Sequence, residues 1–90
     1  MRLIWEDAAK ADREEIFAYI GKRNLRAADA LDALFVKHAR RLVCYPHMGR
    51  IGRAANTREW VAHPNYILIY AVTSNKVRIL RVLHAARQWP

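Results

Sequence analysis

The chain has 90 residues, a formal net charge of +8 and 53% hydrophobic residues. A chain of that length forms one domain, residues 1–90, and buries roughly 60–65% of the surface it would expose unfolded. With only 3 Gly and 3 Pro it is not a disordered chain, and its apolar strand run Tyr66–Val72 is far below the ~18 residues of a bilayer span. Cys44 is the single cysteine, so no intramolecular disulfide can form and a reducing compartment is expected. Glu6 and Asp7 follow the first residues too closely for a signal peptide, and the expected location is cytoplasmic.

Arg2–Trp5 reads as a short strand, long enough for a sheet edge. Asp7 is placed to cap the helix expected over Ala8–Ile20, where Ala is frequent and Gly and Pro are absent. Ala9, Ile16, Phe17, Tyr19 and Ile20 define its apolar side, with Lys10, Arg13 and Glu14 opposite. The adjacent Glu14 and Glu15 point about 100° apart on a helix and do not converge on a substrate. Gly21 is expected to end the helix at the C′ position.

Asn24 suits the cap of a second helix over Leu25–Val43, which Pro46 prevents from continuing far. Ala28, Leu31, Phe35, His38 and Leu42 recur at 3- or 4-residue spacing, with His38 at the edge of this stripe. So short a connection between the helices dictates an antiparallel hairpin. The loop Tyr45–Thr57 follows, with Gly49 and Gly52 three apart and Arg50 and Arg53 in the same spacing. It lacks the Lys-Ser/Thr of a phosphate-cradling loop.

Three runs then alternate with two turn signals, the pattern of an antiparallel meander. They are Arg58–His63, Tyr66–Val72 and Val77–His84, separated by Pro64-Asn65 and Thr73-Ser74-Asn75-Lys76. The middle run is apolar on both faces and reads as the central strand. Strict alternation would put Arg78, Leu80, Val82 and His84 on one face of the last strand, and Val77, Ile79, Arg81 and Leu83 on the other. Arg81 among apolar neighbours needs either an acid or a groove, and Glu59 is the only acid in residues 46–90. Trp89, in the tail, is expected to dock on the body. The fold class that follows is α+β, an antiparallel sheet of three to four strands packed against an N-terminal two-helix hairpin.

Charge is uneven along the chain. Residues 46–90 hold seven Lys+Arg against one acid, and six of the seven are Arg: Arg50, Arg53, Arg58, Arg78, Arg81 and Arg87. A guanidinium donates in pairs to phosphate or carboxylate, so this half suits an anionic target such as nucleic acid or an acidic protein. His47, His63 and His84 have no metal-ligand spacing, and no cofactor or metal is expected. No Ser-His-Asp arrangement stands out.

The ordered set of Tyr19-Ile20, Ala27-Ala28, Pro46 through Gly49-Arg50-Ile51-Gly52-Arg53, Thr57-Arg58-Glu59, His63-Pro64-Asn65-Tyr66-Ile67, Tyr70, Arg81-Val82-Leu83-His84, Arg87 and Trp89-Pro90 resembles the RelE/ParE superfamily of bacterial type II toxin–antitoxin toxins. The resemblance spans nearly the whole chain. Arg13 departs from it, standing where an apolar residue is usual.

The resemblance implies a growth-inhibiting toxin neutralised by a cognate antitoxin, with operator DNA contacted only through that antitoxin and no membrane partner. It leaves two targets. ParE-like members inhibit DNA gyrase and are not enzymes. RelE-like members are metal-independent endoribonucleases that cleave mRNA on the ribosome. Nuclease chemistry would draw on His84 or His63 as acid or base, Tyr70 as a helper, and Arg58 and Arg81 at the phosphate, with Arg50 and Arg53 nearby. Lined up without gaps, Tyr70–His84 gives Arg81-Val82-Leu83-His84 in the ParE-like pattern, which favours gyrase as the target and Arg50, Arg53, Arg58, Arg78, Arg81 and Arg87 as target-binding residues.

Overall fold

The computed structural model describes residues 1–87, and the expected docking of Trp89 lies outside them. In chain order the elements are β1 (Arg2–Trp5), α1 (Asp7–Gly21), α2 (Leu25–Cys44), β2 (Arg50–Ile51), β3 (Arg58–His63), β4 (Tyr66–Thr73) and β5 (Lys76–His84). The expected helix hairpin and meander are present. The sheet, however, has five strands rather than three to four, in the order β1-β5-β4-β3-β2, and it is mixed. β1 pairs parallel to β5, with Trp5 opposite Ile79, whereas the other pairs are antiparallel. The helix hairpin and then β2–β4 make up the long connection that such a parallel pairing requires. The two-residue β2 is an extra strand inside the glycine–arginine loop and pairs Arg50 with Glu59.

β4 lies at the centre, and its Ile67, Leu68, Ile69 and Tyr70 are all buried. Toward the helices the core joins Ala9, Phe35, Ala39 and Leu42 to Ala62, Leu68, Tyr70, Val77, Ile79 and Val82. A smaller cluster of Ile67, Ile69 and Leu83, with Leu80 against it, forms on the other face of the sheet.

Simple alternation fails in β5. The β4–β5 register shifts between Ile69 and Tyr70, which face Arg81 and Ile79, so Leu80 is an extra residue. A bulge resets which side the following residues occupy. Val77, Ile79 and Val82 therefore all join the helix-side core, while Leu80 and Leu83 pack on the opposite cluster.

Helix ends also differ from expectation in two places. Glu6, not Asp7, is the cap residue of α1, and its side chain makes no capping bond. Gly21 is the last helical residue rather than a left-handed terminator, and Lys22 follows it in right-handed geometry. Asn24 caps α2 as expected, accepting from the Ala27 N–H at 3.0 Å. Tyr19, expected on the apolar side of α1, is 74% exposed. Arg13 is not on a solvated face: it lies 4.4 Å over the Trp5 ring and pairs bidentately with Asp32 of α2 at 2.8 Å. Stacking and ion pairing explain how a guanidinium occupies this position between elements.

Candidate functional site

The loop after α2 is built around Tyr70. Its hydroxyl, on a fully buried ring, donates to the Pro46 carbonyl at 2.8 Å and accepts from the Gly49 N–H at 2.9 Å. Burial pushes this phenol upward from its ordinary pKa, although the Gly49 N–H and Arg58 act the other way. Gly49 is needed for proximity, not for unusual dihedrals: a Cβ there would sit 2.6 Å from the Tyr70 hydroxyl and 2.8 Å from the Glu59 carbonyl. Gly52 is constrained likewise by Thr57, whose carbonyl accepts from the Gly52 N–H at 2.8 Å.

Two side chains of β3 brace the same loop from opposite faces. Arg58 donates to the Gly49 carbonyl at 2.8 Å. Glu59, 5% exposed, accepts from the Arg50 guanidinium at 2.9 Å and from the Arg53 N–H at 3.3 Å. Burial by itself would raise the Glu59 pKa, but the Arg50 bond, the Arg53 N–H and both positive charges outweigh it and leave the carboxyl below its ordinary value. The Arg53 side chain stays exposed and makes no ion pair among the described residues.

The last strand is tied to the N-terminal segment by acids that sequence reasoning left out. Arg81 does not pair with Glu59. It binds both oxygens of Asp12 on α1, at 2.7 and 2.9 Å. Asp12 also accepts from the Val82 N–H at 2.9 Å. β1 ends opposite Ile79, so beyond that point the edge of β5 has no strand beside it and a carboxylate serves its donor instead. Arg78 pairs with Glu6 at 2.6 Å. The sequence does hold a signal for Asp12: it falls between Ala9 and Ile16 at 3- and 4-residue spacing, an acid on an apolar stripe.

His63 and His84 meet at neither of these places. Their rings flank Tyr66, at 5.9 and 5.4 Å between centroids. Each Nδ1 accepts a local backbone N–H, from Asn65 at 3.0 Å and from Ala86 at 3.1 Å, which leaves Nε2 for any other partner. His84, Tyr66 and Arg87 line a cleft of about 480 Å³ against Asp12, Glu15, Ile16 and Tyr19 of α1. Both histidines pair across from Tyr66, whereas Arg58 pairs across from Tyr70. Four strand positions, ~13 Å, separate these levels. The candidate acid–base groups and Arg58 thus occupy different parts of the molecule, and Tyr70 has its hydroxyl committed to the loop. No group of three or more His, Cys, Asp or Glu that could hold a metal ion occurs among the described residues, and no helix among them is long and apolar enough to cross a membrane.

A mixed sheet backed on one face by a helix hairpin, with arginines along its loop and last strand, defines a small, basic α+β protein. The family model for the ParE toxin of the type II toxin–antitoxin system, parDE, matches residues 3–89, and the chain belongs to that family. It is 41% identical to the Y4kP toxin homologue of Sinorhizobium fredii, over 99% of this chain and 93% of that protein. It is 36% identical to Toxin RelE2 of Caulobacter vibrioides, over 96% of this chain and 97% of that one. Among solved structures, one of the chromosomal ParDE system of P. aeruginosa superposes with a TM-score of 0.84 at 20% identity, covering 93% of this chain and 95% of that one. A copper-bound mutant toxin of Helicobacter pylori gives a TM-score of 0.70 at 15% identity, with 96% of each chain covered. Membership of the family implies a cognate antitoxin as partner.

Proposed function

We propose that this toxin stops growth in the ParE manner, by inhibiting DNA gyrase through surface contacts and without catalytic residues of its own. The observation behind this reading is the separation of its chemistry. Metal-free RNA cleavage needs an acid, a base and a phosphate-holding cation around one bond. Here the histidines flank Tyr66, Arg58 lies at the level of Tyr70, and Arg78 and Arg81 are engaged by Glu6 and Asp12. Arg53 and Arg87 are exposed and remain for contact with a target, and Arg50, although paired with Glu59, keeps 66% of its side chain exposed. A ribosome-dependent nuclease is the second reading. It is favoured by one feature, the cleft that holds His84, Tyr66 and Arg87 together.

The test is a paired assay on antitoxin-free toxin: supercoiling of relaxed plasmid by gyrase, and cleavage of mRNA on programmed ribosomes. Loss of supercoiling with intact mRNA is the expected result. Cleavage in the ribosomal A site with gyrase unaffected would overturn it, and loss of that cleavage in His84→Ala would then place the chemistry in the cleft.

A further inference from the structure

From Ala33 to Arg58 the chain contains no acid and six bases: Lys37, Arg40, Arg41, Arg50, Arg53 and Arg58. The fold gathers this stretch at one end of the molecule. Lys37, Arg40 and Arg41 stand at i, i+3 and i+4 on α2 and are exposed. The Trp60 indole N–H donates to His38 Nδ1 at 2.9 Å, which lays this part of α2 over β3. Tyr70 and Arg58 then hold the following loop against β3 and β4, with Arg50 and Arg53 on it.

Some bases are already paired, Arg50 of this stretch with Glu59 among them. Arg13, Arg78 and Arg81 pair with Asp32, Glu6 and Asp12. Lys37, Arg40, Arg41 and Arg53 make no ion pair among the described residues. Beside them Tyr45, 61% exposed, forms with Pro46, His47 and Met48 the wall of a largely apolar notch. Cations near the end of a helix interact favourably with its dipole. That accounts for Arg41 in the last turn, but not for the loop arginines or for an exposed aromatic among them.

We propose that this end of the toxin binds a nucleic-acid strand directly: Arg40, Arg41 and Arg53 contact phosphodiesters, and a base or sugar stacks against Tyr45. This goes beyond gyrase inhibition, because the toxin itself would touch nucleic acid. Guanidinium forks on an open surface with an aromatic between them match a phosphate backbone and its bases. An acidic peptide would pair with the same arginines but leave the exposed Tyr45 ring without a stacking partner, so a strand carrying bases is the better match.

The experiment is fluorescence anisotropy with a labelled single strand of about 16 nucleotides and the duplex of the same sequence, titrated across salt. Arg40→Ala/Arg41→Ala/Arg53→Ala is compared with Lys22→Ala/Arg23→Ala/Arg26→Ala, which removes the same charge at exposed positions around the turn between the two helices, the opposite end of α2. The first triple should weaken binding about tenfold or more at low salt and reduce the slope of log K against log salt by about two to three. The control triple should change Kd by less than about threefold. Arginine-to-lysine changes at the three sites should keep most of the salt slope, a rescue that excludes misfolding. Tyr45→Ala should cost about fivefold or more on the single strand, and little on the duplex if a base must unstack to reach it. Equal losses in both triples would reduce the effect to overall charge and overturn the proposal. Equally tight, patch-dependent binding of a glutamate-rich peptide would assign the surface to an acidic protein and overturn it as well.

Discussion

Asp12→Ala should be the most damaging single change on the helix hairpin. Asp12 is 9% exposed and has two duties, the bidentate bond to Arg81 and acceptance of the buried Val82 N–H. Orphaning a buried backbone donor costs about 1–3 kcal/mol. Removing one partner of a fully buried ion pair costs about 3–5 kcal/mol. The Arg81 side chain is 28% exposed, so water recovers part of that second cost. A combined loss of about 3 kcal/mol is therefore expected, a large part of the ~5–15 kcal/mol that holds a domain of this size together. Urea denaturation of antitoxin-free toxin would show the midpoint fall, and the melting temperature should drop by about 12–24 °C. Asp12→Asn keeps one carbonyl oxygen for the Val82 N–H and should fall between the two. A double-mutant cycle with Arg81→Ala should return about 1–2 kcal/mol of coupling, the range for residues in one network. A loss below about 1 kcal/mol for Asp12→Ala, with no coupling to Arg81, would refute the idea that this carboxylate replaces the missing strand at the edge of β5.

Tyr70→Phe should lower stability by about 1–3 kcal/mol in the same denaturation assay, because the Gly49 N–H loses its acceptor and the Pro46 carbonyl its donor; unchanged stability would mean the loop does not depend on that hydroxyl. The Glu59 carboxyl is held below its ordinary value in the folded state, so its contribution is complete above the unfolded value of ~4.3 and is lost as pH falls through the folded one. Glu59→Gln should therefore be less stable than wild type at neutral pH, and the gap should close in acid; a pH-independent gap would contradict the assignment. His38 is pushed below its ordinary value by burial first, then by Arg41 and Lys37, and its Nδ1 must be unprotonated to accept from Trp60. Its stabilising effect is thus present above the unfolded value of ~6.5 and declines as pH drops through the folded one. Comparing denaturation midpoints at pH 7.5 and 5.5, both on the ordinary buffer scale, the loss on acidification should be smaller in His38→Leu than in wild type; an equal loss in both would mean that other groups account for it.

Much of the architecture was legible because periodicity and punctuation are local properties. The 3- and 4-residue spacing of Ala28, Leu31, Phe35 and Leu42, the Asn24 cap and the Pro64-Asn65 and Ser74-Asn75 turns place α2 and the meander within a residue or two of where they lie. The basic second half and the family resemblance were equally present in the residues. Partnership was not local. The carboxylate that binds Arg81, that of Asp12, lies 69 residues away on a different element, and the bulge at Leu80 that sets which residues of β5 face the helices arises from pairing with β4. The Asp12 contact further depends on where β1 stops alongside β5, a parallel pairing between the two ends of the chain. Spacing along the chain determines which residues share a face; only the packed sheet decided which charges were neutralised, which were left for a partner, and that the histidines and Arg58 would stand apart.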